Sequence, residues 1–548
     1  MSGSLRAIGL VVGTLAVTVG SATRADGAAP PRLVVWVTVD QLRGDMVSRY
    51  ANPERRGGFH YLLERSVYFQ NAHFRHATTF TSVGHAALFT GGHTADHGIA
   101  GNDWHDIRTG ERVYCVQDDR YPLVRQPAIE NGGRSPANLT ASTIGDEIVW
   151  ASGGRSRVFS VSGKDLGAII PAGHLGKAFW YDQGQFVTST YYYEAYPAWA
   201  AAWNMADPAS RYHRQLWTLL DEPATYMHAE ADDRPCEKGY KHLGHTFPHD
   251  LATDNVGDFV AALRYTPFLD ELTLDFVREL VLREKLGQTH GMDMLAVSLS
   301  ALDYIGHNWG PESLEAEDHV RRVDVMLAEL FAFLAEQVGP DRLLIILASD
   351  HGMDDIPECR APMGFDAGRH VPAEFLRELN DALKVRLRTG ETLVTAFWNP
   401  SLYLDEEAVR RAGAAMADAE RVLAEEVMRL PGFALALTRS DLLTGQIPRI
   451  PLAERLQRSF HPRRSGHVLV VPSPFWYLYH DPVEHAAMHG SPYSYDTYVP
   501  VFIAGPGIRP CTVSRLVGPE DIAPTVAACL GIKPPSGCIG TVLPEALP

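Results

Sequence analysis

Asp303 and His307 stand four residues apart at the end of an apolar run, a metal-ligand spacing that needs partners from elsewhere in the chain. Three other places offer them. Asp40 ends the apolar run from Val34, Asp350 and His351 follow the run from Leu343, and His489 precedes Gly490 and a further apolar run. Three carboxylates and three imidazoles without a thiolate suit catalytic zinc better than manganese or iron. Two such ions about 4 Å apart can activate a nucleophile and stabilise a leaving oxygen during an in-line displacement. The set predicts a two-metal phosphate-ester hydrolase, against the plainer reading in which Asp40 caps a helix and the histidines are satisfied core residues.

A nucleophile is best sought in a hydroxyl-rich stretch. His76 to Gly91 runs through Thr78, Thr79, Thr81 and Ser82 into a short helical segment that Gly91 and Gly92 stop. A hydroxyl at a helix start lies beside free backbone N–H groups and the positive end of the helix dipole, both of which favour an anion. Such a hydroxyl is either a cap or a nucleophile, and these four residues compete for both roles. Gly101 to Asp106, which contains Asn102, is a polar turn that could be simply a loop.

Strands must position these groups. Leu33 to Val39 is rich in β-branched residues and nearly continuous in apolarity, as a strand buried on both faces should be. Asp40 then falls at its carboxyl end, the edge where ligands bind in an open parallel sheet. Met294 to Ser300 and Leu343 to Ala348 repeat the pattern, Arg157 to Ser162 leads into Gly163 and Lys164, and Val499 to Ala504 gives a last strand. Asp318 to Val338 carries apolar residues at helical spacing, and Asp521 opens a closing helix. Helix and strand alternating, with polar ligand types after strands, predict an α/β fold: a doubly wound, mostly parallel sheet flanked by helices. Residues from about 105 to 290 read as an inserted cap over the sheet edge, and those from about 355 to 480 as a second insertion with a helical stretch from Ala408 to Met428.

The 548 residues suit one large α/β enzyme domain with insertions, or about two to four modules. A formal charge of −17 makes DNA and RNA poor partners, whereas a small phosphorylated substrate is compatible because bound cations reverse the local sign. Arg6, the apolar segment Ala7 to Val19 and the small residues of Ser21 to Ala25 read as an export signal covering residues 1–25, with the catalytic domain at 26–548. The apolar segment falls short of the roughly 20 residues that span a bilayer, so a periplasmic or secreted protein without a stable membrane span is expected. Six cysteines without a CxxC pair fit an oxidising compartment. Cys529 and Cys538 are near enough in sequence for a local bridge, but other pairings stay open. The sequence is compatible with a monomer and fixes no oligomeric state.

The segments Val37 to Arg43, Thr81 to His85, Gly101 to Trp104, Lys164-Asp165, Asp303 to His307, Ser349 to Gly352 and His489 to Asp496 resemble, in order, those of the alkaline phosphatase superfamily. Within it they are most similar to the bacterial PafA-like phosphatases, which use a threonine nucleophile and are related to the nucleotide pyrophosphatase/phosphodiesterases. The resemblance implies one zinc held by Asp303, His307 and His489, and another held by Asp40, Asp350 and His351, with the Thr81 hydroxyl completing its coordination. It selects Thr81 among the hydroxyls, because the nucleophile stands four residues before the histidine matched by His85. It further implies attack by Thr81, a phosphothreonine that is then hydrolysed, a hydrogen bond from Asn102 to a phosphate oxygen, and Lys164 stabilising charge on the transferring group.

One position departs from the pattern. The PafA-like monoesterases follow the Lys-Asp pair with an Arg that contacts phosphate, and here Leu166 stands in that place. Leu cannot supply a bidentate guanidinium, so preference for monoesters over diesters is expected to weaken. Arg155, Arg157 and Lys177 are the cations considered as replacements. The expectation is an exported zinc-dependent phosphomonoesterase; the alternatives are a phosphodiesterase, nucleotide pyrophosphatase or mixed esterase, and a phosphate- or metal-binding protein on an inactive scaffold. A sulfatase would need a Cys or Ser in a Cys/Ser-x-Pro-x-Arg context, which is absent, and the phosphoglycerate mutase relatives use Ser and are cytosolic.

Overall fold

The computed structural model describes residues 29–52, 54–124, 130–289, 291–479 and 485–548; the expected export signal, residues 1–25, lies outside them. Leu33–Val39 is buried along its whole length and pairs in parallel with Asp293–Leu299 on one side and Leu343–Ala348 on the other. Pleating divides its side chains between two cores: Leu33, Val35, Val37 and Val39 enter one, Val34 and Trp36 the other. Both faces are covered, which is why the run is continuously apolar rather than alternating.

The sheet has nine strands among the described residues, in the order Cys511–Val513, Val67–His73, Tyr498–Ala504, Leu343–Ala348, Leu33–Val39, Asp293–Leu299, Val158–Ser162, Lys177–Asp182 and Gln185–Val187. The four strands that precede the candidate residues are mutually parallel, and Tyr498–Ala504 runs antiparallel to both of its neighbours. This is the doubly wound, mostly parallel α/β sheet expected. The helix Leu314–Val338 starts on Ser313, whose hydroxyl accepts the Ala316 N–H at 3.1 Å, and it lays Val320, Val323, Leu327 and Leu330 on the core that holds Val35.

The stretch from 105 to 290 is part cap and part sheet. Its strands Val158–Ser162 and Lys177–Asp182 extend the central sheet, and its helix Phe268–Glu284 buries Leu272, Phe276 and Leu280 in the main core. Residues 355 to 480 hold a separate four-stranded sheet, Val394–Trp398, Ser401–Leu404, Val468–Pro472 and Phe433–Thr438, with its own core around Leu383, Leu402 and Leu423. The helical stretch from Ala408 to Met428 is two helices, Glu406–Arg411 and Met416–Val427, parted where Gly413 takes a left-handed φ of 72°. No helix among the described residues is long and apolar enough to cross a membrane.

The disulfide is Cys236–Cys359, which ties the first of these regions to the second across a sequence separation of 123. Cys529 and Cys538 do not bridge; the Cys529 thiol donates to the Ala546 carbonyl at 3.2 Å. Cys236 and Cys359 pack on Met353, Ile356, Ala486 and Ala487, and the last two donate their N–H groups to the His307 carbonyl. Replacing both cysteines by serine should lower stability by about 2–4 kcal/mol, because the unfolded chain regains the closed loop's entropy. Thermal unfolding of the double variant beside the oxidised parent checks this, and equal midpoints would refute it.

Candidate active site

Four parallel strands bring Asp40, Lys164, Asp303, His307, Asp350 and His351 to one edge of the sheet. Asp40 directly follows Leu33–Val39, and its N–H donates to the Leu299 carbonyl at 2.9 Å. Gln41 then turns the chain with a φ of 68° and donates its N–H to Asp350 Oδ1 at 3.2 Å. Asp303 and His307 lie one turn apart on the helix Ala301–Trp309, which places both on the same face. Asp350 and His351 follow Leu343–Ala348, and Lys164 follows Val158–Ser162 by two residues.

Two compact groups result: Asp303 with His307 and His489, and Asp40 with Asp350 and His351, each with ligand atoms within 4.8 Å of one another. His307 Nε2 is 3.4 Å from Asp303 Oδ2 and His489 Nε2 is 3.6 Å from Asp303 Oδ1. His351 Nε2 is 3.4 Å from Asp40 Oδ1 and 3.6 Å from Asp350 Oδ2. The His351 and His489 rings stack with centroids 3.6 Å apart, so the groups adjoin.

The residues fit cations on three observations. Each histidine anchors Nδ1 on a backbone carbonyl, His307 on Ala487, His351 on Gly352 and His489 on Thr79, at 2.7 to 2.9 Å. That bond fixes the tautomer and leaves Nε2 unprotonated within the group. Asp40 Oδ1, Asp350 Oδ2 and Asp303 Oδ1 are buried without a hydrogen-bond donor among the described residues. Finally, two of the three buried carboxylates share one ammonium: Lys164 Nζ sits 2.7 Å from Asp40 Oδ2 and also contacts Asp303. Burial and then the Asp350 charge push the Asp40 carboxyl well above its usual range. Burial pushes Asp303 the same way, but His307 and Lys164 outweigh it and hold that carboxyl well below. Burial and the neighbouring His351 push His489 well below the ordinary imidazole value. Such a cluster is short of positive charge.

Of the four competing hydroxyls, Thr81 alone lines the cavity above these groups. It is the first residue of the helix Thr81–Thr90, and its Oγ1 lies 3.3 Å from His351 Nε2. Thr79 donates instead to the Ser491 carbonyl at 2.9 Å, and Thr78 and Ser82 are buried off the cavity. Asn102 accepts the Ser82 N–H on Oδ1 at 3.0 Å, which leaves its NH2 donors for the cavity it lines. His85, fully buried, lies 3.4 Å from Ser298 and 3.8 Å from Asp350, and burial holds its imidazole down at about 4.

The cavity, about 540 Å³, is lined by Thr81, Asn102, Lys164, Asp303, His307 and His489 together with Leu166, which also packs in the apolar cluster of Val83 and Ile169. Arg155, Arg157 and Lys177 do not line it: Arg157 pairs with Asp293 at 2.8 Å, and Lys177 lies over the Tyr193 ring. Among the described residues the cations that do, besides Lys164, are Arg112, Arg134 and Arg264, and Trp398 and Asn399 arrive from the second sheet. No motif marks these five residues. They come from the stretches with the least regular patterning, and only the tertiary fold brings them to the cavity.

A family model for type I phosphodiesterase / nucleotide pyrophosphatase matches residues 34–492. The chain is 33% identical to alkaline phosphatase PhoV of Synechococcus elongatus over 95% of this chain and 93% of that protein. It is 31% identical to alkaline phosphatase PafA of Elizabethkingia meningoseptica over 98% of both. A crystal structure of wild-type PafA superposes with a TM-score of 0.88 at 31% identity, covering 95% of this chain and all of that one. A PafA variant substituted at a Thr, an Asn, a Lys and an Arg superposes at 0.87.

Gly84 tests how tightly the Thr81 helix is seated. A Cβ there would meet the Asp350 carbonyl oxygen at 2.1 Å, so helix and strand end touch backbone to backbone. Gly84→Ala should destabilise the protein by about 1–3 kcal/mol through this overpacking, read by denaturant unfolding. An unchanged midpoint would show that the helix can shift freely.

Proposed function

The chain belongs to the type I phosphodiesterase / nucleotide pyrophosphatase family, as a phosphoric ester hydrolase of the alkaline phosphatase superfamily, and on that premise we propose a zinc-dependent phosphatase that hydrolyses phosphate monoesters through a phosphothreonine on Thr81. The observation that carries this reading is the Thr81 hydroxyl, presented to the cavity at a helix start, 3.3 Å from His351 and beside two buried Asp/His groups. Asp303, His307 and His489 would hold one zinc ion, and Asp40, Asp350 and His351 the other, with Thr81 beside it. Two zinc ions there would acidify the hydroxyl and offset charge gathering on the phosphoryl oxygens.

Thr81 Oγ1 forms the bond to phosphorus as the bond to the leaving oxygen breaks, and the leaving oxygen takes up a proton. Water then displaces Thr81 from phosphorus, releasing inorganic phosphate and restoring the hydroxyl. Asn102, fixed by its bond from the Ser82 N–H, donates from its NH2 to a non-bridging oxygen. Lys164 leans over the Tyr304 ring at 4.9 Å and balances the carboxylates until a phosphoryl group competes for it. The positions substituted in the PafA variant have the same spacing as Thr81, Asn102, Lys164 and Leu166, which supports this assignment of roles. The Cys236–Cys359 bridge supports work in the periplasm or outside the cell.

Leu166 favours a second reading, a mixed mono- and diesterase. An apolar side chain lines the wall where the relative places an Arg, so a diester's second substituent meets no competing guanidinium there. Two measurements separate these readings. Thr81→Ala should lower kcat/KM by roughly 10³-fold or more while zinc content by elemental analysis stays at the parental value; near-normal turnover would remove Thr81 from the chemistry. Leu166→Arg should shift the kcat/KM ratio of an aryl monoester to its diester toward the monoester by about tenfold, the worth of one charge-assisted hydrogen bond. An unshifted ratio would mean that Leu166 does not face the phosphoryl group.

A further inference from the structure

Three guanidinium groups line the cavity, and each faces a carboxylate of the same wall. Arg112 Nε donates to Asp103 Oδ1 at 2.9 Å, and its guanidinium lies 4.8 Å over the Trp398 ring. Arg134 is moored by three bonds, Nε to Asp165 Oδ2 at 2.6 Å and Nη1 to the Asn131 and Gly133 carbonyls at 2.9 Å. Arg264 differs. Its hydrogen bonding among the described residues is one contact, Nη2 to Asp182 Oδ1 at 3.5 Å, while its Nε is buried with no acceptor. A partly buried guanidinium whose hydrogen bond to protein is long keeps donors available for another acceptor. Its side chain is still 33% exposed, on the cavity side.

Arg264 occupies the turn Leu263–Tyr265, with its guanidinium 5.6 Å from the Tyr181 ring and its charge bearing on the Tyr304 phenol. Lys164 Nζ lies 4.9 Å from the centroid of that same Tyr304 ring. Both cations line the cavity with Tyr181 and Tyr304: Lys164 touches the carboxylates of the metal-fitting groups, and Arg264 lies over the Tyr181 ring. A phosphoryl group presented to Thr81 and reached by Lys164 and Asn102, with its ester bond still intact, leaves Arg264 for the group it is esterified to. A planar fork of donors suits phosphate or carboxylate oxygens, which would readily outcompete a 3.5 Å contact to Asp182.

We propose that Arg264 binds a second anionic group, phosphate or carboxylate, on the leaving group of the substrate, and so selects multiply charged monoesters; this rests on the phosphatase reading above. The test compares kcat/KM for three aryl phosphates of matched leaving-group pKa, bearing a carboxylate, a phosphonate or a neutral carboxamide, in the parent, Arg264→Gln and Arg264→Lys. The parent should favour the charged substrates over the carboxamide, less so as ionic strength rises. Arg264→Gln should cut that ratio by about tenfold, mainly through KM, and Arg264→Lys should retain part of it. A ratio lost for only the phosphonate or only the carboxylate supports the proposal and identifies the group. An unchanged ratio overturns it, and so does an equal fall for all three substrates, which would place Arg264 on the transferred phosphoryl group or in the wall's packing. If the zinc-loaded parent hydrolyses none of the three, the phosphatase reading itself fails, and the inference with it.

Discussion

Three carboxylates, Asp40, Asp303 and Asp350, are buried together at one sheet edge, and the site is organised around that concentration of negative charge. Each would be expensive alone, because burial opposes ionisation and like charges oppose it further. The chain meets the expense with rigid placement. Asp40 and Asp350 end adjacent parallel strands, Asp303 sits in the first turn of a helix that follows a third, and the Gln41 N–H fixes Asp350 from the side. All three side chains are almost wholly buried, so charge must be brought to them instead. Lys164 brings one positive charge, and the outward-facing Nε2 atoms of three histidines make room for more.

The backbone does as much as the side chains. The carbonyls of Ala487, Gly352 and Thr79 set the tautomers of His307, His351 and His489, so their Nε2 atoms have a fixed direction before anything binds. The Thr79 carbonyl belongs to the same turn that presents Thr81, which links His489 to the position of the hydroxyl. Gly84 extends that link, since only its lack of a side chain lets the Thr81 helix rest on the Asp350 carbonyl. A shift of the helix would move hydroxyl, His489 and Asp350 together.

The sheet and the polar residues at its edge were legible because each rests on a local pattern. Continuous apolar runs mark strands covered on both faces, and an Asp or Lys just past such a run falls at the carboxyl edge whatever the rest of the fold does. The six ligand-type residues could therefore be named individually; that they form two groups of three was given by the resemblance and is matched by the geometry. The choice of Thr81 over Thr78, Thr79 and Ser82 was not available locally, since it depends on which hydroxyl faces a cavity made by residues hundreds of positions away. The same holds for Arg112, Arg134, Arg264, Trp398 and Asn399. Their roles depend on how 105–290 and 355–480 fold over the edge, and the disulfide that joins those regions pairs cysteines 123 residues apart.

Metal-fitting residues and cavity wall thus answer to different constraints. The carboxylate edge is positioned by paired strands, whereas much of the wall is built from turns and short elements. Leu166 illustrates this: the helix Asp165–Ala172 keeps Asp165 as the anchor for Tyr114 and Arg134 while its next residue turns into the apolar cluster. Losing a guanidinium at that point leaves the acid it would have neighboured still paired, because Arg134 reaches it from a different loop. Position 166 supplies no positive charge to the wall, which Arg112, Arg134 and Arg264 line instead.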